Sequence, residues 1–107
     1  MDINIEPTNF NASADLITHI NEMFEPISKY NDQIHSMDIY LKSTNKDIQN
    51  KHITVKVKLP GHELIQEHEA GDFVTAAQQA YDKLKIQLRD QKEKDKKNFQ
   101  PRPDKPY

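Results

Sequence analysis

The chain has no cysteine, no tryptophan and only two glycines in 107 residues. Without cysteine there is no disulfide framework, no thiolate metal site and no thiol redox chemistry. Gly61 and Gly71 alone cannot build a glycine-rich loop that cradles nucleotide phosphates. No apolar run approaches the roughly 20 residues needed to cross a bilayer. The opening MDINIEP is acidic and lacks the basic and apolar regions of a signal peptide. Ser13, Ser28, Ser36 and Ser43 stand outside any GxSxG setting, and no carboxylate pair sits in an obvious apolar pocket. These absences point away from an enzyme, from a cofactor and from a small-molecule substrate. Apolar residues make up 35% and charged residues 30%, which suits one cytoplasmic domain with a modest core and an ionic surface. The net charge of −2 is wrong for a general nucleic-acid coat, so any such role needs local segregation of charge.

Hydrophobic periodicity predicts six elements. Met1, Ile3 and Ile5 alternate with polar residues in a short strand that ends at Pro7. Asn11 or Ser13 caps a helix whose apolar face is Leu16, Ile20, Met23, Phe24 and Ile27. Pro26 should kink or tighten its end. Met37, Ile39 and Leu41 alternate in a second strand, and Ser43 to Lys51 reads as a polar loop. Ile53, Val55, Val57 and Leu59 give the cleanest alternation, turned by Pro60-Gly61 into a weakly patterned strand from His62 to Ala70. There Leu64 is the firm inward residue, with Gln66 and His68 in phase. A long closing helix then runs from Gly71 to Lys97, with Asp72 at its cap. Strand–helix–three strands–helix, with both helices on one face, is an α+β two-layer sandwich, β-α-β-β-β-α, with a four-stranded sheet. Residues 1–97 form this domain and 98–107 a proline-rich basic tail.

The closing helix carries the main functional signal. Phe73, Ala77, Ala80, Tyr81, Leu84 and Leu88 fall within about a third of the circumference at 100° per residue, the stripe that anchors a helix. Lys85, Arg89, Lys92 and Lys96 line one adjacent flank, with Asp82, Asp90 and Glu93 off that row. A row of cations on a rigid rod suits a phosphate backbone, although lysines near a helix C-terminus also suit its dipole. Lys56 and Lys58, with Lys42 beside them, read as the wet face of a one-sided sheet. The tail offers Phe99, Arg102, Lys105 and Tyr107, suited to stacking and phosphate contact along a single strand. Residues 92–107 hold six Lys/Arg against three Asp/Glu, a local charge of +3. His62, Glu63, Glu67 and His68 lack HExxH spacing, and a strand places 63 and 67 on one face with 62 and 68 on the other, so no metal site is expected. His19, His35 and His52 read as surface residues.

GDFVTAAQQAYDKLKIQL resembles the closing helix of the ribosome hibernation-promoting factor and ribosome-associated translation inhibitor family. Asp72, Phe73, Ala76, Ala77, Asp82, Lys83, Leu84, Gln87 and Leu88 fit its pattern, and NFNASADL, KYNDQI and VKVKLPGHEL are similar to the family elsewhere. The resemblance covers about residues 1 to 95 and implies the short form, without the C-terminal dimerisation domain of long members. It implies a fold comparable to double-stranded RNA-binding domains. It further implies docking on small-subunit rRNA in the decoding channel, where mRNA and tRNA anticodon stems would lie. The partner is then the small ribosomal subunit, with no membrane, in idle or stressed stationary-phase cells. Whether a second ribosome is also recruited through other factors stays open. Two departures stand out: Met23 and Pro26 occupy first-helix positions that are usually basic, and Ile86 and Asp90 replace the family's arginine and lysine on the closing helix. Lys83 and Lys94 keep that flank, while Lys85, Arg89, Lys92 and Lys96 form a row on the other. Both sets are carried forward as rRNA-binding candidates. The alternatives are a protein-binding adaptor acting through the proline-rich tail or a sheet edge, and a binder of free double-stranded RNA.

Overall fold

Alternation at period two and stripes at period three to four are both realised in the computed structural model, which describes residues 2–44 and 50–99, with side chains as far as Asp90. The elements are β1 (Asp2–Pro7), α1 (Ala14–Phe24), a 3-10 segment (Glu25–Tyr30), β2 (Ser36–Ser43), β3 (Lys51–Leu59), β4 (His62–Ala70) and α2 (Phe73–Phe99). The sheet order is β1-β2-β3-β4, with β1 parallel to β2 and the remaining pairs antiparallel. The helices cover one face and the other stays open, so the two-layer α+β sandwich expected from the sequence is the architecture found.

Local chemistry accounts for the boundaries. Ser13, rather than Asn11, caps α1: its hydroxyl accepts from the Leu16 N–H at 3.1 Å. Pro26 lies in the first turn of the 3-10 segment, where its missing N–H costs no helical bond. The expected tightening is thus a change of helix type directly after Phe24. Pro60 and Gly61 (φ 81°) make the tight turn between β3 and β4. Proline presets the first turn residue, and only glycine takes the positive φ of the second without strain. Asp72 opens α2: its carboxylate accepts from the Thr75 N–H at 2.7 Å and the Thr75 hydroxyl at 3.1 Å. Those bonds hold the carboxyl below its ordinary pKa, with its slight desolvation opposing them. The polar loop expected after β2 lies mostly at residues 45–49, outside the described residues.

The core forms between the covered sheet face and the two helices. Met37, Ile39 and Leu41 of β2 and Ile53, Val55 and Val57 of β3 are fully buried, as are Ile20, Phe24 and Ile27 opposite them. From α2, Ala77, Ala80, Leu84 and Leu88 are buried as the stripe predicts, and Ala76 joins them. Small alanines in the first turns let α2 approach the sheet closely, while leucines fill the wider space beyond. Phe10 stacks on Phe73 at 5.0 Å and closes one end of the core. Near its other end Asn31, only 1% exposed, donates from Nδ2 to the Leu88 carbonyl at 3.5 Å and accepts from the Gln33 N–H at 2.8 Å. A buried amide must find partners, and here it ties the chain leaving the 3-10 segment to the middle of α2.

Candidate nucleic-acid interface

The buried side chains described on α2 end at Leu88, yet the helix backbone continues to Phe99, eleven residues further. At 1.5 Å per residue this extends α2 by about 16 Å. Lys92, Lys94 and Lys96 occupy this extension, so they stand on helical backbone, two residues longer than the sequence suggested. Their side chains, and Arg102, Lys105 and Tyr107 of the tail, lie outside the described residues, as does the Phe99 side chain.

Lys85 and Arg89 lie on the flank of α2 that faces the 3-10 segment. The Arg89 guanidinium carbon lies 4.9 Å from the Tyr30 ring centre. The Lys85 ammonium lies 6.0 Å from the rings of both Tyr30 and Tyr81. These are cation–π distances. Phe24 supports Tyr81 from below, edge to face at 5.7 Å. Burial raises the Tyr81 phenol above its ordinary value, reinforced by a hydrogen bond with Tyr30 and by the charges of Tyr30 and Asp82. Among the described residues, no carboxylate lies within ion-pair distance of Lys83, Lys85 or Arg89. Asp82, next to Lys83 in sequence, instead accepts from the Gln78 amide at 3.0 Å. The two described cations of the row therefore lie over aromatic faces, and Arg89 is exposed to solvent.

The opposite flank of α2 faces β4. There Gln87 accepts from the Gln66 amide at 2.9 Å, and Gln66 in turn pairs with His68 Nε2 at 2.8 Å. Gln66 and His68 thus point inward in phase with Leu64, as their spacing requires. Burial pushes the His68 pKa below its ordinary value, and the Lys83 ammonium adds to that effect. Lys83 is exposed on this side beside β4, whose outward residues include Glu63 and Glu67. Lys83 and the Lys85–Arg89 row are thus divided between two sides of one helix. Ile86, between them, is exposed.

The open sheet face is mixed in charge. Lys56 and Lys58 lie on it as expected, with Lys56 5.6 Å from the Tyr40 ring. Asp2, Glu6, Asp38, Glu63 and Glu67 share this face, so it is a poor platform for a polyanion. His52, read as a plain surface residue, is half-buried and 3.5 Å from Glu67. Among the described residues no group of three or more His, Asp or Glu is arranged to hold a metal ion. No helix among them is long and apolar enough to cross a membrane.

Sequence reasoning missed the part played by Tyr30 and Asn31. A tyrosine followed by a polar residue at the end of a proline-tightened helix is the local signal that could have drawn attention to them.

The comparisons agree with this geometry. Residues 3–96 match the model of the Sigma 54 modulation protein / S30EA ribosomal protein family. A curated relative, the ribosome hibernation promoting factor of Acinetobacter guillouiae, is 31% identical over 108 residues, covering 94% of this chain and 95% of its own. Among solved structures, a ribosomal subunit interface protein from Coxiella burnetii superposes with a TM-score of 0.77 at 23% identity, over 86% of this chain and 98% of the other. The N-terminal domain of Thermus thermophilus Protein Y gives 0.71 at 21% identity, over 83% and 97%. At those identities the structures establish the fold alone, whereas the family match spans nearly the whole described domain. This chain belongs to the Sigma 54 modulation protein / S30EA ribosomal protein family.

Proposed function

We propose that this chain is a cytoplasmic ribosome hibernation factor that binds small-subunit rRNA in the decoding channel and blocks mRNA and tRNA there. The observation that carries the reading is its end-to-end similarity to a hibernation promoting factor. The role is non-catalytic: occupancy alone excludes the message. Contact with rRNA runs along the α2 flank that carries Lys85, Arg89, Lys92 and Lys96. Lys83, whose flank turns toward the Gln66–His68 pair of β4, and Lys94 on the same side of the helix in sequence are secondary contacts. The proline-rich tail, with Phe99, Arg102, Lys105 and Tyr107, adds contacts along the mRNA path.

A cell-free translation reaction tests this directly. Added protein should inhibit translation of a natural mRNA and sediment with vacant small subunits. Excess mRNA with initiator tRNA, added first, should reduce both effects severalfold. Sedimentation that ignores prior mRNA and tRNA would place the protein elsewhere on the ribosome. Salt-insensitive binding lost on truncation after Asn98 would favour an adaptor role instead.

A further inference from the structure

We propose that Tyr30 is a positioning residue that orders Arg89 and Lys85 into a single site for an RNA phosphodiester. The inference rests on the small-subunit reading above and deepens it.

Tyr30 stands at the end of the 3-10 segment, half-buried against the core, and both described cations of the row approach its ring. An arginine held over an aromatic ring by cation–π attraction spends no hydrogen-bond donor on that contact. Its N–H donors lie in the plane and remain free, in the fork that suits a phosphate. Lys85, equidistant at 6.0 Å from Tyr30 and Tyr81, supplies a second charge on the same side of α2, one helical turn away. A free arginine or lysine loses side-chain entropy when fixed, and contact with a held ring removes part of that loss before RNA arrives. The ring is itself held: Tyr30 packs against the core, and Asn31, the next residue, is anchored to the Leu88 carbonyl. The site is therefore specific for a phosphate group rather than for a base, because the tyrosine face is taken by cations. Replacing Tyr30 removes neither cation, so its contribution is separable from theirs.

The test uses the full chain with Tyr30→Leu, Tyr30→Phe and Arg89→Lys. In NMR spectra of the free protein, the Arg89 side-chain protons should be shifted upfield by the ring in the unmodified chain and in Tyr30→Phe, but not in Tyr30→Leu. Binding to purified small subunits should weaken about tenfold in Tyr30→Leu, the equivalent of two modest cation–π contacts. Tyr30→Phe should restore most of that loss. Arg89→Lys, which keeps the charge but loses the fork, should also weaken binding about tenfold. Circular dichroism confirms that each variant is folded. Should Tyr30→Leu bind as tightly as the unmodified chain, or should Arg89 show no ring shift, the positioning role is overturned while the hibernation reading stands. Should the unmodified chain not bind small subunits at all, the hibernation reading falls and the phosphate site with it. An intact ring shift would then identify the functional reading as the failed step.

Discussion

Replacing Lys85, Arg89 and Lys92 together by glutamate is expected to weaken binding to small ribosomal subunits at least about a hundredfold. The melting temperature should move by no more than a few degrees. Two arguments fix the sizes. Each cation that meets a phosphate releases condensed counterions, and three glutamates in their place add repulsion from the same polyanion. The fold has little stake in these charges, because among the described residues Lys85 and Arg89 pair with no carboxylate and Arg89 is exposed. Surface substitutions of that kind change stability little, and the lost ring contacts add about 1 kcal/mol. Subunit binding and thermal unfolding of the same sample check both halves. A variant that stays bound would remove this flank of α2 from the mechanism.

Phe24→Ala should be the most damaging single change in the core, costing about 3–5 kcal/mol. Phe24 is fully buried and is the largest side chain that α1 contributes. It lies where α1 gives way to the 3-10 segment, and its ring meets Tyr81 edge to face. Removing it leaves a cavity and withdraws support from the tyrosine beside Lys85. A domain of this size has about 5–15 kcal/mol in all. Chemical denaturation should therefore show a large drop in midpoint, and subunit binding should fall at temperatures where the variant is still mostly folded. A loss below about 1 kcal/mol would mean that the site collapses around the gap, and that Tyr81 needs no support from α1.

Much of this fold was legible in the sequence. Ile53, Val55, Val57 and Leu59 announced β3 by strict alternation, and Phe73 to Leu88 announced a core-facing helix by spacing alone. Pro26 gave notice of a disturbance, and the structure makes it a 3-10 segment. Ala76 escaped the stripe because it is adjacent to Ala77, and spacing alone does not say how wide a buried stripe will be. The site was only half legible. Helical geometry placed Lys85 and Arg89 on one flank and Lys83 on the other. What that flank faces is a tertiary matter: Asn31 and Leu88 are 57 positions apart, and no local pattern links them. For the same reason the sequence does not single out Tyr30 as the support beneath two cations.

The charge balance makes the proposed interface unusual. Residues 1–91 hold nine Lys/Arg against fourteen Asp/Glu, so the domain body is acidic and only the end of α2 and the tail are basic. Attraction to RNA must then be concentrated along the exit of one helix. Shape complementarity to a preformed cleft has to supply what four cations cannot.

The central claim, that a short cationic row on α2 meets rRNA phosphates, is tested most directly by the salt dependence of binding to purified vacant small subunits. With four phosphate contacts at roughly 0.7–0.9 each, the logarithm of affinity should fall against the logarithm of salt with a slope near −3. Charge reversal at Lys85, Arg89 and Lys92 should flatten that slope toward −1. A slope near zero in the unmodified chain would contradict the account, because binding would then owe nothing to phosphate contacts.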